Sequence, residues 1–116
     1  MKILILEDDG FRVRFFIDRF GQYDLIITEN AYEAIEYLET QVFDYIFLDN
    51  DLGIGNGEGV DVANFLRSNP DNLNNYSIVI IHSWNIPATK IIKSNLPNAV
   101  SAPFNTENFS NLRLDI

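Results

Sequence analysis

Four short apolar runs punctuate the chain, at Lys2–Leu6, Leu25–Thr28, Tyr45–Leu48 and Ile78–Ile81, the first three running into an acid and the fourth into His82. Runs of that length without polar alternation are expected of strands buried on both faces. Between them the apolar period changes. Val13, Phe16, Ile17 and Phe20 recur at i, i+3, i+4, i+7, and so do Ala31, Ala34, Ile35 and Leu38; each set lies on one face of a helix. Val62, Phe65 and Leu66 give a third helix a narrower stripe, and Ala88, Ile91 and Ile92 mark a fourth that Pro97 ends. Asn30 with Glu33 three residues on has the form of a capping box, and Asn85 before Ile86-Pro87 is a second helix start. A fifth strand is expected at about Ala99–Ser101. The tail from Asn105 to Ile116, with Phe109, Leu112 and Leu114, predicts a short final helix, and the polar stretch from Ser68 to Asn75 predicts a surface loop.

Strands alternating with helices require right-handed crossovers and a parallel sheet covered on both sides. The expected fold is therefore α/β, a single doubly wound five-stranded domain over residues 1–116. At 116 residues and 47% hydrophobic content the chain suffices for one packed core.

Composition then narrows the chemistry. There is no cysteine and one histidine, which removes thiolate metal sites and most zinc chemistry. Seventeen acidic residues against eight basic ones give a net charge of −9, a field that repels duplex nucleic acid. The run Ile3–Leu6 is too short for a leader or a membrane span, so a cytoplasmic location and no membrane partner are expected.

In an open parallel sheet, ligands bind beyond the carboxyl ends of the strands. Here those positions hold Glu7, Asp8 and Asp9 after the first strand, Asp49, Asn50 and Asp51 after the third, and His82, Ser83, Trp84 and Asn85 after the fourth. Clustered carboxylates need a proton or a cation between them, and an all-oxygen set suits Mg²⁺, Mn²⁺ or Ca²⁺, with Mg²⁺ or Mn²⁺ the expected cofactor. The ordinary alternative for Glu7-Asp8-Asp9 is a capping cluster on the first helix, and for Asp49 and Asp51 an acidic turn. Ser83 and Asn85 are expected to face a bound phosphate. His82 reads either as a packed core residue or as an acid–base group. Trp84 reads as packing or as a stacking surface for a base. Gly53, Gly55, Gly57 and Gly59 read as a mobile loop in preference to a phosphate nest.

The segments Ile3-Leu4-Ile5-Leu6-Glu7-Asp8-Asp9, Tyr45-Ile46-Phe47-Leu48-Asp49 and Ala102-Pro103-Phe104 resemble the receiver domain of response regulators, a flavodoxin-like fold. The resemblance implies that Glu7, Asp8, Asp49 and the Asp51 carbonyl hold a metal. It also implies that Asp49 accepts or faces phosphate, and that a cis peptide bond precedes Pro103. Three positions depart from that pattern: Ala102 replaces the strand-five lysine, His82 falls where Thr or Ser is usual, and Ala99 replaces the switch aromatic. Asp49-Asn50-Asp51-Leu52-Gly53 with His82-Ser83-Trp84-Asn85 is similar to the atypical cyclic-phosphate-processing receiver domains, with Asn50 in place of a histidine.

Three functions follow as expectations. One is a stand-alone metal-dependent site that binds or hydrolyses phosphoesters, cyclic nucleotide-end phosphates by resemblance, with Asp49 and His82 catalytic. Another is a phosphorelay switch with Asp49 as phosphoacceptor and a kinase or output protein as partner. The third is a binding module without turnover.

Overall fold

The computed structural model describes residues 1–114, the side chain of Asn108 excepted. Five parallel strands, β1 (Lys2–Leu6), β2 (Asp24–Thr28), β3 (Tyr45–Leu48), β4 (Ile78–Ile81) and β5 (Val100–Ser101), form one sheet in the order β2-β1-β3-β4-β5. Five helices, α1 (Gly10–Phe20), α2 (Ala31–Thr40), α3 (Gly59–Ser68), α4 (Ile86–Asn95) and α5 (Thr106–Ser110), connect and cover it. This is the expected doubly wound α/β fold. β2 begins one residue earlier than its apolar run because Asp24 pairs with Lys2 in the ladder.

Alternate side chains of the buried strands feed two cores. Leu4, Leu6, Ile46, Leu48, Val79 and Ile81 meet α2, α3 and α4 through Ala34, Leu38, Val62, Ala63 and Ile92. Ile3, Ile5, Phe47 and Ile80 meet α1 through Phe16 and Phe20, with Phe104 and Phe109 closing the layer. Phe16 makes edge contacts with Phe104 and Phe109, both at 5.8 Å between centroids. No helix among the described residues is long and apolar enough to cross a membrane.

Caps explain the helix starts. The Asp9 carboxylate accepts from Arg12 N–H and Asn85 Oδ1 from Ala88 N–H. Asn30 Oδ1 accepts from the amides of Tyr32 and Glu33 at 2.9 and 3.1 Å. The return half expected of Glu33 is not formed among the described residues, because the Asn30 amide already donates to Thr28 Oγ1 at 3.2 Å. A return bond occurs instead at α3, where Glu58 N–H donates to Asp61 at 2.8 Å.

Residues 69–77 run as the expected surface loop, and both this loop and the glycine loop carry inward ties. The polar stretch after α3 is anchored by buried Asn74, whose Oδ1 accepts from Phe43 N–H at 2.7 Å and whose amide donates to Leu38 O and Gln41 O. The glycine loop is likewise pinned: Asn56 O accepts from Ala31 N–H, Asn56 Nδ2 donates to Leu52 O, and Asp51 bridges to Glu58. No cis peptide bond occurs among the described residues, so Ala102–Pro103 is trans. Ala102 N–H bonds to Ile81 O and Phe104 N–H to His82 O, which carries the chain past Pro103 in an extended course beside β4. Asp115 and Ile116, the end of the expected tail, lie outside the described residues.

Candidate active site

The carboxyl ends of β1, β3 and β4 bring Glu7, Asp49 and His82 together, with ligand-capable atoms within 4.8 Å of one another. All three are buried, at 1%, 5% and 2% exposure. Burying such groups is costly unless each finds a partner, so their partners define the site.

Glu7 is saturated. Its Oε1 accepts from Arg12 Nε and from His82 Nε2, each at 2.9 Å. Its Oε2 accepts from the Asp8 and Asp9 amides at 3.0 and 3.1 Å and from Arg12 Nη2 at 3.3 Å. A carboxylate offers about four lone-pair directions, so Glu7 is fully engaged while Asp49 is ionised. Burial alone would raise this carboxyl, but the His82 hydrogen bond, the charge that His82 gains in acid, the Asp9 amide and Arg12 outweigh it and hold it at about 2.

His82 lies behind Glu7, its ring 5.2 Å from Phe16 and 6.4 Å from Phe47. Burial lowers its pKa against the pull of Glu7. The hydrogen-bond network therefore assigns a neutral ring that carries its proton on Nε2. Nδ1 is buried without a hydrogen-bond partner.

Asp49 is the contrast. Its Oδ1 accepts from the Asn50 amide at 2.8 Å, whereas Oδ2 is buried with no hydrogen-bond partner. The nearest cation, Arg12 Nη2, stands 3.7 Å from it, an ion-pair distance only. Burial, then the Glu7 charge and a hydrogen bond to Glu7 that only the protonated form can make, push its carboxyl up to about 7, so Oδ2 lacks a partner when Asp49 is ionised. Asp8 is exposed, and burial and Glu7 raise its carboxyl too.

A crevice of about 330 Å³ opens over Asp49, lined by Arg12, Asp49, Asp51, Ser83, Trp84 and Asn85. Glu7, Asp8 and His82 are not among its lining residues. Asn85 donates its amide to Asp51, at 3.1 Å to Oδ1, and its oxygen caps α4, so it steadies Asp51. Ser83 Oγ accepts from Asn85 N–H at 3.0 Å, which leaves its hydroxyl proton for another acceptor. Trp84 is 68% exposed, and its indole N–H donates to Phe104 O at 2.9 Å. Beside it a hollow of about 420 Å³ is lined by Trp84, Ile86, Thr89, Lys90 and Pro103, among others. Asn50, which stands where the resemblance has histidine, braces the turn: its amide donates to Asp51 and Glu58 and its oxygen accepts from Val60 N–H.

Asp9 follows the ordinary reading as a helix cap. Arg12 is the residue that sequence reasoning missed. Its signal was a cation in the first turn of α1, where the helix dipole disfavours positive charge unless acids hold it.

Residues 2–98 match the family model of the cyclic-phosphate processing receiver domain. The chain belongs to that family. No curated protein matches it. Among solved structures, the phosphorylated cyanobacterial phytochrome response regulator RcpA is similar at 20% identity and a TM-score of 0.72, over 94% of this chain and 85% of that one. The Mn²⁺-bound form of response regulator Rcp1 is similar at 21% identity and a TM-score of 0.69, over 93% of this chain and 85% of that one. A receiver domain from Rhodospirillum rubrum is similar at 21% identity and the same TM-score, over 96% and 87%. At these identities the likeness shows the receiver fold.

The donor set of this receiver domain fits a hard divalent cation. A buried carboxylate oxygen without a partner, beside a second acid at Asp51, has the oxygen chemistry that Mg²⁺ or Mn²⁺ takes.

Proposed function

We propose that the crevice binds a divalent cation together with a phosphoester and processes cyclic phosphate esters. The observation that carries this reading is Asp49 Oδ2, buried and without a hydrogen-bond partner, on a residue that lines an open crevice. Leaving such an atom unmet costs about 1–3 kcal/mol, and more for a charged group, so a ligand that meets it is favoured.

Asp49 and Asp51, the two acids in the lining of the crevice, would hold the cation. Glu7, with its acceptor sites filled, supplies buried charge and anchors Arg12 and His82. The cation, when bound, would polarise phosphoryl oxygens and make bound water acidic. Ser83 has a hydroxyl proton to offer a phosphate oxygen. The hollow beside Trp84 has room for the organic part of an ester. Ring opening adds water across one P–O bond and yields a phosphate monoester and a free hydroxyl. In this arrangement His82 acts through Glu7, as a positioning residue with its ring sealed from the crevice.

The test is ³¹P NMR of the protein with Mg²⁺ or Mn²⁺ and cyclic phosphodiesters of nucleoside and polyol type. A monoester signal that grows with wild type and not with Asp49→Asn is expected. No ring opening of any of them would overturn the enzymatic reading, and metal binding retained without turnover would favour a binding module. A phosphoacceptor role is the weaker reading, since Ala102 offers no cation and no lysine lines the crevice.

A further inference from the structure

Resting on that reading of the crevice, we propose that Arg12 is its phosphate-binding cation, held ready by the Glu7 carboxylate with His82 bracing it from behind. The first support is donor accounting. A guanidinium carries five N–H donors in a planar fork. Arg12 spends Nε–H and one Nη2–H on Glu7, and no other hydrogen bond joins its guanidinium to a described residue. It is also the one basic residue among the described residues that line the crevice.

Charge is the second support. With Glu7, Asp49 and Asp51 gathered at one end of the sheet, a phosphate meets repulsion unless a cation is fixed beside it. Arg12 Nη2 is 3.7 Å from Asp49 Oδ2, too far to satisfy that oxygen and close enough to share a ligand with it. The third is pre-organisation. Glu7 cannot swing away, because two backbone amides hold Oε2 while His82 Nε2 shares Oε1 with Arg12. The guanidinium also lies 5.9 Å from the centre of the Phe104 ring, a cation–π distance that limits its tilt. A fixed guanidinium loses little freedom on gaining an oxyanion, and Arg–phosphate contacts are among the stronger hydrogen bonds.

The experiment measures two affinities on wild type, Arg12→Gln and Arg12→Lys: Mn²⁺ by electron paramagnetic resonance, and inorganic phosphate by calorimetry at saturating Mg²⁺, with thermal melts to establish folding. Arg12→Gln is expected to weaken phosphate at least about tenfold, the effect of losing a charge-assisted hydrogen bond, with Mn²⁺ affinity unchanged or tighter. Arg12→Lys, which keeps the charge but not the fork, is expected to fall between. Tighter Mn²⁺ with unchanged phosphate affinity would show Arg12 to be only a counter-ion for the carboxylates, and overturns the proposal. Wild type that binds Mn²⁺ but no phosphate overturns it too, leaving the metal site standing; wild type that binds neither removes the reading of the crevice as well. If Arg12→Gln does not fold, Arg12→Met, which keeps the stem without the charge, takes its place, and wild-type phosphate affinity in that variant overturns the proposal.

Discussion

His82 Nε2 lies 2.9 Å from Glu7 Oε1, joining the end of β4 to the end of β1 across 75 residues of chain. Both partners are buried, so this bond fixes the carboxylate on which Arg12 rests.

Replacing His82 with Ala removes a buried donor from a charged acceptor and opens a gap beside Phe16. A loss of about 2–4 kcal/mol in denaturant unfolding is expected, from an unmet charged acceptor together with a cavity. His82→Gln can still donate and is expected to recover part of it. If His82→Ala unfolds at the wild-type midpoint, the bond does not support the fold.

Glu7→Gln separates the charge from the shape. Because the folded Glu7 carboxyl is lowered from 4.5 to about 2, it contributes stability that is present above pH 4.5 and lost as pH falls toward 2. Unfolding free energies of wild type and Glu7→Gln are expected to differ most at pH 5 to 6 and to converge near pH 2. A gap independent of pH would contradict this.

Asp49 titrates in the opposite sense. Its folded carboxyl is raised from 3.8 to about 7, so the folded state holds a proton that the unfolded state has released. Stability from this group is therefore full below pH 3.8 and is lost as pH rises through 7. In chelator-treated buffer Asp49→Asn is expected to be more stable than wild type at pH 8, with the advantage vanishing near pH 4. Added Mn²⁺ should raise the Tm of wild type and not of Asp49→Asn, since only a ligand that binds the folded state stabilises it.

Gly59 opens α3 with its backbone against Asp49, and a methyl group there would collide with the Asp49 carbonyl. Helix propensity favours Ala over Gly by about 1 kcal/mol, whereas overpacking against fixed backbone costs about 1–3 kcal/mol. Gly59→Ala is expected to lose stability and to weaken Mn²⁺ binding together. A stabilised variant with intact binding would show that the turn yields.

Acetyl phosphate with Mg²⁺ is expected to label Asp49 weakly in intact-mass analysis, because the strand-five lysine position is Ala102. Stoichiometric, durable labelling would restore the switch reading.

The fold was legible because each strand is an unbroken apolar run and helices α1 and α2 carry full stripes; β1, β3 and β4 begin and end where those runs do. The chemistry at the strand ends was legible as residue types, from the topology rule that places ligands there. Pairing was not. That Arg12 answers Glu7, and that His82 turns inward onto the same oxygen, depends on how β1 and β4 are spaced by β3, and no local spacing encodes it. His82 directly extends the apolar run of β4, and one sequence cannot say whether such a residue continues the core or faces the crevice. Asn50 showed in the sequence only as a replaced histidine, whereas its three hydrogen bonds tie the turn after β3.

The bridge between Asp51 and Glu58 closes residues 52–57 into an ear whose two roots touch. Ile54 at its tip is fully exposed, and the close approach of Gly59 to Asp49 is settled at the roots. The ear is thus a natural port for grafting: a tag or reporter peptide inserted at Ile54 enters and leaves between roots that are bridged to each other, and it is expected to lengthen the ear without parting Asp51 from Glu58.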